Sequence, residues 1–241
     1  MSVHSWDSGT KSLQGCKAAR LQGCKANPLK STHFILSSFV IAFLLSSNMA
    51  YAANAQNGDG ASASGVLSTA FGENANASGN NSTANGQAAI ASLEKSTANG
   101  QGSRATGTAS TANGQGAQAT GDYSTANGQG AQATGAGSTA NGQGAQATRA
   151  GSTANGALAV ASGPASIANG HYARATGDSS VALGAGSMAT HDNEVNIGIW
   201  SAQPDGTNKQ TDTRTLSGLA DGVNADEAVN KGQLDGVEAK A

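Results

Sequence analysis

Cysteine, histidine, serine and glycine-rich loops are the features of this 241-residue chain that could do chemistry, and their spacing decides what kind. The two cysteines, Cys16 and Cys24, both precede position 53 and have seven residues between them, too many for a redox or zinc CxxC pair. Beyond position 53 the histidines are His171 and His191. No HExxH, EF-hand loop or zinc pair accompanies them, so neither a metal nor another cofactor is expected. His191-Asp192 reads as a turn. Gly130–Gly135 has the G-x4-G spacing of a phosphate loop, but Ala136 stands where that loop needs its lysine. Serines abound without a G-x-S-x-G nucleophile elbow. Calcium-binding β-roll repeats need an aspartate in nearly every unit, and this chain has Gln or Ala there. Asn76, Asn80 and Asn81 begin glycosylation sequons that chance supplies in so Asn/Ser/Thr-rich a chain. Nothing here makes an enzyme.

Composition narrows the class further. Glycine accounts for 34 residues, aromatics for 4% and charged residues for 12%, with a net charge of -2. Large apolar residues are too scarce for a thick core, yet the charge is too low for an ordinary acidic disordered chain. No basic stripe suits nucleic acid. With three prolines and no glycine at every third residue, the chain is not collagen. Order in such a chain must come from a repeat.

The first 52 residues read as an export leader. Phe34–Leu45 is an uncharged 12-residue run, suited to a signal-peptide core and short for a membrane span. Lys11, Lys17, Arg20, Lys25 and Lys30 precede it, and Ala50-Tyr51-Ala52 follows as an A-x-A cleavage signal. Cleavage is expected after Ala52. LQGCKA occurs twice in this long leader, as a misplaced start or a small duplication would leave it. The remaining chain has no cysteine and carries 8 Lys/Arg against 14 Asp/Glu, a balance of about -6.

From Ser68 onward, serine recurs every 14 residues through 82, 96, 110, 124, 138, 152, 166 and 180. Each opens a pentapeptide ending in glycine: STAFG, six copies of STANG, SIANG and SVALG, with EVNIG in the tenth register. Nine residues after each serine stands an alanine, from Ala77 to Ala189. Fourteen residues suit one narrow coil of two short strands and two tight turns. In Ser124–Gly128 the alternation sends Ser124, Ala126 and Gly128 to one face and Thr125 and Asn127 to the other. The small-residue face must approach a second strand closely, near Ala133. Asn-Gly is expected to make the turn through positive φ at both residues. Stacked at about 4.8 Å, nine coils make a rod of roughly 43 Å. Its Ala/Ser interior buries little apolar area at about 25 cal/mol per Å², so burial against further chains is expected.

These residues resemble the trimeric autotransporter adhesins. Ser180-Val181-Ala182-Leu183-Gly184 with Ala189 fits the 14-residue pattern of their YadA-like heads, His191–Gly198 resembles the last head turn, and Arg214–Gly222 followed by Asp226–Leu234 looks like their neck motif. The resemblance implies an all-β, left-handed parallel β-roll, homotrimeric, followed by a short neck and the start of a coiled coil. It divides the chain into a leader (1–52), an N-terminal segment (53–67), head repeats (68–198), an irregular connection (199–213) and a neck with the start of a stalk (214–241). It places Thr83, Asn85, Thr125, Asn127, Ile167, Val181, Leu183, Val195 and Ile197 at the trimer interface. Asp221, Gly222, Ala228, Val229, Asn230, Gln233 and Leu234 belong to the neck. The family has Val and Ile where this chain mostly has Thr and Asn. Three symmetry-related asparagines around the axis are expected to satisfy one another, in stacked ladders, above an apolar clamp at the base. Asp226 or Asn224 is expected to cap a helix beginning near Glu227. Family chains continue into a stalk and a membrane-anchoring β-barrel, so a chain ending at Ala241 reads as a fragment or a truncated frame, with a released rather than anchored protein as the alternative.

The implied function is that of an exported bacterial cell-surface (outer-membrane) adhesin head. It attaches to host matrix or host cells, or to sister cells, by many weak contacts; related heads bind collagen and other matrix proteins. The partners are two further copies and a host extracellular-matrix or cell-surface protein, with neither nucleic acid nor head–membrane contact. Two other readings compete: an ice-binding solenoid, whose Thr83–Thr153 column would order water, and a passive spacer whose binding tip lies at Gln56–Ser64. Glu73, Glu94, Lys95, Arg104, Asp122, Tyr123, Arg149, Tyr172 and Arg174 break the repeat and are expected on the outside, with Trp200 at the head–neck junction.

Overall fold

The computed structural model describes residues 54–202 and 208–239. The leader and its expected cleavage site at Ala52 lie outside the described residues. Each coil carries a three-residue strand such as Thr125–Asn127, a tight turn, a two-residue strand such as Gln132–Ala133, and a second turn. Strands pair in parallel with their equivalents 14 residues away, Thr125 beside Thr111 and Thr139, Asn127 beside Asn113 and Asn141. The longer strands build an 11-stranded sheet from Ala55–Asn57 to Val195–Asn196. The shorter ones build a 10-stranded sheet from Ser62–Ala63 to Met188–Ala189. The fold is an all-β parallel solenoid of about ten turns.

Pairing starts earlier than Ser68. Ala55–Asn57 is in register with Thr69–Phe71, so residues expected to form a separate N-terminal segment contribute a coil of the same sheets. The polar residues of that coil close its end: Asn54 accepts from the Ser68 N–H and donates to Ala63 O, at 3.1 and 3.0 Å.

The core lies between the two sheets and holds almost nothing but alanine and serine. Ala126 and Ala133 are fully buried, as are their equivalents from Ala70 to Ala189. Serine is the largest side chain buried completely. Its hydroxyl needs a partner there, and most coils supply one locally, as where Ser124 Oγ donates to Gly121 O at 2.6 Å across the turn before it; the Ser82 and Ser138 hydroxyls have none among the described residues. Main-chain groups are satisfied between coils, as Thr125 N–H to Ser138 O (2.9 Å) and Gln132 N–H to Ala145 O (2.8 Å) show.

The turn chemistry differs from expectation. Asn127 is the last residue of a strand and takes no positive φ. The positive-φ positions are the following glycine, Gly128 at +131°, and the residue two further on, Gly130 at +65°. The two make different demands. A Cβ on Gly128 would sit 2.5 Å from Gly142 O and 2.7 Å from its carbonyl carbon, whereas one on Gly130 meets nothing within 4 Å. The chain uses that latitude: Ala88, Leu158 and Tyr172 occupy the Gly130 position of other coils at φ 55 to 58°. Gly128→Ala is therefore expected to cost about 3 kcal/mol or more, from a φ confined to glycine plus overlap with the next coil. Gly130→Ala is expected to cost about 1 kcal/mol. Thermal or urea melting of the two variants checks the difference, and equal losses would contradict it.

Past the last coil, Ile199–Ala202 pairs antiparallel with Asn208–Asp212, and a helix spans Lys231–Glu238. Its cap is Asn230, not Asn224 or Asp226. Asn230 Oδ1 accepts from Gln233 N–H at 3.0 Å, and Gln233 Oε1 accepts from Asn230 N–H at 3.3 Å, a reciprocal capping box. Glu227, expected to begin the helix, instead closes a turn by accepting from the N–H groups of Val223 and Asn224 at 2.6 and 3.1 Å. No helix among the described residues is long and apolar enough to cross a membrane.

Candidate binding surfaces

Strict register turns each outward position into a straight column of like side chains. One column runs Thr83, Thr97, Thr111, Thr125, Thr139, Thr153, Ile167, Val181, Val195. Thr83 and Thr125 are half-buried even in one chain, and the apolar end opens to solvent, with Ile167 40% and Val195 67% exposed. The next outward column carries Asn85 through Asn169, then Leu183, which is 45% exposed.

The asparagines find partners along the axis within their own chain. Asn99 Nδ2 donates to Asn113 Oδ1 at 3.0 Å, Asn113 to Asn127 at 2.9 Å and Asn127 to Asn141 at 2.9 Å. The ladder between coils satisfies the half-buried amides without a second copy. A second ladder runs beside it on the exposed turn. Gln87 donates to Glu73, and Gln101, Gln115, Gln129 and Gln143 each donate to the Gln one coil earlier, at 2.7 to 3.2 Å. The sequence signal for it was the Gln that follows five consecutive Asn-Gly pairs, from Gln87 to Gln143.

Of the residues that break the repeat, Tyr172 and Arg174 lie near the last coils. His171, Tyr172, Arg174, Met188, Ile199 and Trp200 line an open cleft of about 480 Å³. The His171 and Tyr172 rings meet edge to face with centroids 4.2 Å apart. Tyr172 is 56% exposed. Tyr123, 71% exposed, lies in an earlier coil and does not join this group.

The end of the Ala core is closed by Glu194, which stands in the serine register. Its carboxylate accepts from Thr190 N–H (2.7 Å), His191 N–H (3.0 Å) and Asn196 Nδ2 (2.8 Å), with His191 Nδ1 at 3.3 Å. Burial alone would raise its pKa, but these hydrogen bonds, led by the His191 N–H, outweigh that and hold it at about 2. Asn196 Oδ1 in turn accepts from Gly198 N–H at 2.8 Å and from the Trp200 indole N–H at 3.4 Å. Arg214 straps the end: its guanidinium donates to Ile197 O and Ala185 O and lies over Gly184. Sequence alone placed Arg214 in the neck motif without this role, since nothing local marks a reach of 17 and 29 residues.

The neck residues come together around the capping box. Gln233 Oε1 accepts from Gly222 N–H (2.9 Å) and its Nε2 donates to Gly222 O (2.8 Å), while Asn230 Nδ2 donates to Asp221 Oδ1 (2.7 Å). The Ala228 carbonyl oxygen lies against Gly222, 2.8 Å from where a Cβ would stand. Val229, Leu234 and Val237 remain 54 to 65% exposed. Among the described residues, no three His, Cys, Asp or Glu side chains are grouped to hold a metal.

With columns and coils in place, comparison with known proteins is direct. The model of the YadA head domain repeat (two copies) matches residues 63–89, 77–103, 105–131, 133–159 and 161–187, together just over half the chain. The chain belongs to the YadA head family. Among solved structures, the collagen-binding domain of the Yersinia adhesin YadA is 25% identical, covering 75% of this chain and 87% of that one, with a TM-score of 0.43. No curated protein matches the chain.

Glu194 gives this YadA-type head a defined acid response. A carboxyl held near 2 when folded, against an ordinary value of about 4.5, contributes stability that is fully present above about pH 4.5 and lost as pH falls toward 2. Glu194→Gln is expected to melt at a lower temperature than the wild type near neutral pH, and the two curves should converge below about pH 3. Melting temperature against pH reads this directly. Curves that stay parallel from pH 7 to about 2 would contradict it.

Proposed function

We propose that the chain is the head of a bacterial surface adhesin, non-enzymatic and homotrimeric, that attaches to host extracellular matrix or a host cell-surface protein by multivalent contact. The observation that carries the reading is the column: one register repeats the same exposed side chains coil after coil, so a weak contact made once is available many times. Family membership supports the adhesin class. The exposed apolar ends, Val195 on the head and Val229, Leu234 and Val237 at the neck, support association of three copies, because each leaves apolar area unburied in one chain. In that trimer the Thr83–Val195 and Asn85–Ile197 columns face the axis. The Gln ladder and the residues that break the repeat then face outward, where a matrix protein meets them. Export through the leader, with cleavage after Ala52, carries the head to the bacterial cell surface.

Immobilised collagen is the probe that family resemblance suggests. The chain is expected to bind it, and a variant lacking residues 110–137, two whole coils, should remain folded and release it faster. Binding unchanged by that deletion but abolished by removing 54–64 would contradict contact by columns and favour a spacer carrying a terminal tip.

A further inference from the structure

Eight Asn-Gly pairs punctuate the solenoid, at Asn57, Asn85, Asn99, Asn113, Asn127, Asn141, Asn155 and Asn169. This dipeptide is the one most prone to spontaneous deamidation, because an unbranched glycine lets its own nitrogen reach the preceding side chain. We propose that these pairs are covalent ageing sites whose reactivity the solenoid grades in three classes, with the amide ladder as the second of two locks. This inference is independent of the binding reading.

The reaction needs two groups free at once. The glycine nitrogen, having given its proton to solvent base, attacks the Asn Cγ. A new N–Cγ bond closes a five-membered succinimide, and the side-chain nitrogen leaves as ammonia. Water then opens the ring at either carbonyl, giving aspartate or its β-linked isomer. A hydrogen bond from the glycine N–H opposes the first event, because the bond must break before the nitrogen can lose its proton and turn. A hydrogen bond held by the side-chain amide opposes the second, because Cγ cannot swing toward the nitrogen while its amide is tied to a neighbouring coil.

The structure supplies these locks unevenly. The glycine N–H is tied to the coil before it in seven pairs: Gly86 to Phe71 O, Gly100 to Asn85 O, Gly114 to Asn99 O, Gly128 to Asn113 O, Gly142 to Asn127 O, Gly156 to Asn141 O and Gly170 to Asn155 O, all at 2.8 Å. Gly58, in the edge coil, has no such bond among the described residues. The side-chain lock is confined to the middle, where Asn99, Asn113, Asn127 and Asn141 form the unbroken ladder and are half-buried. Asn85 is exposed and outside the ladder, and Asn155 and Asn169 are exposed and joined by a longer 3.4 Å contact. Asn57 is exposed and has neither lock among the described residues. Reactivity therefore falls from Asn57, to Asn85, Asn155 and Asn169, to the four ladder asparagines. Burial between further copies would slow sites together and leave the locks within a chain as the source of the order.

The consequence is chemical. Each event places a carboxylate in a column whose members stand one coil apart, so a second event nearby sets like charges side by side. The β-linked isomer also adds one backbone atom to a strand whose register is fixed at 14 residues. An exposed first coil that ages while the ladder persists confines early damage to the rod's end.

The test is peptide mapping by mass spectrometry of the full chain during incubation at mildly alkaline pH, native and in denaturant. In denaturant all eight sites should gain mass at similar rates. In the native chain Asn57 should react first and the ladder asparagines at least about tenfold more slowly, because their reaction waits for local opening. An Asn113→Ala variant separates ladder from burial: Asn99 loses its only ladder bond, whereas Asn127 keeps its bond to Asn141, and the Gly100 and Gly128 N–H bonds remain. The Asn99 rate should rise to that of Asn85, with Asn127 and Asn141 staying slow. Native rates equal at all eight sites, or equal to the denatured rates, would overturn the proposal, as would an Asn99 rate unmoved by Asn113→Ala.

Discussion

The gap between the two sheets admits no side chain larger than serine, and everything else in this protein depends on that. A 14-residue coil has room for two short strands and two turns only if its inward residues are alanine, serine and glycine. The narrow gap fixes which positions face inward, and the inward positions fix the register. Register in turn stacks each outward residue on its own kind, making the Thr column and the Asn and Gln ladders from the sequence repeat. The cost is a core with little apolar area. Parallel main-chain bonding between coils, amide ladders along the surface and polar closure at both ends compensate within one chain. Asn54 closes one end, and Glu194 with Arg214 the other.

Much of this was legible in the sequence because the constraint acts at short range. Alternation within Ser124–Gly128 told which residues turn inward, and the alanine nine positions on identified the facing strand. What a period cannot tell is direction: identical asparagines can meet around an axis or along it. The ladder from Asn99 to Asn141 runs along it. The turn was misplaced by the usual preference of Asn-Gly, since parallel pairing on both sides holds Asn127 extended and passes the left-handed role to Gly130. Pattern alone does not single out the helix cap: Asn224 has Glu227 and Asn230 has Gln233 three positions later, both fit a capping box, and the folded neck uses Asn230. The role of Arg214 was not legible either, because its partners are far away in sequence.

A surface made of columns suits attachment better than recognition at one point. The exposed glutamines present one chemical pattern over five successive coils, so gain or loss of a coil among them neither creates nor destroys a unique site. The three GQGAQAT segments fit a history in which length changed by whole coils. Near the base the pattern gives way to His171, Tyr172, Arg174 and Trp200, where the solenoid meets the antiparallel hairpin.

In the proposed trimer the apolar ends that one chain leaves exposed are buried between copies. Light scattering on the purified chain, with circular dichroism over a range of concentrations, tests this most directly. A mass of three copies is expected, with β-type circular dichroism and a melting temperature that rises with concentration. A cooperatively folded monomer whose melting is independent of concentration would contradict it.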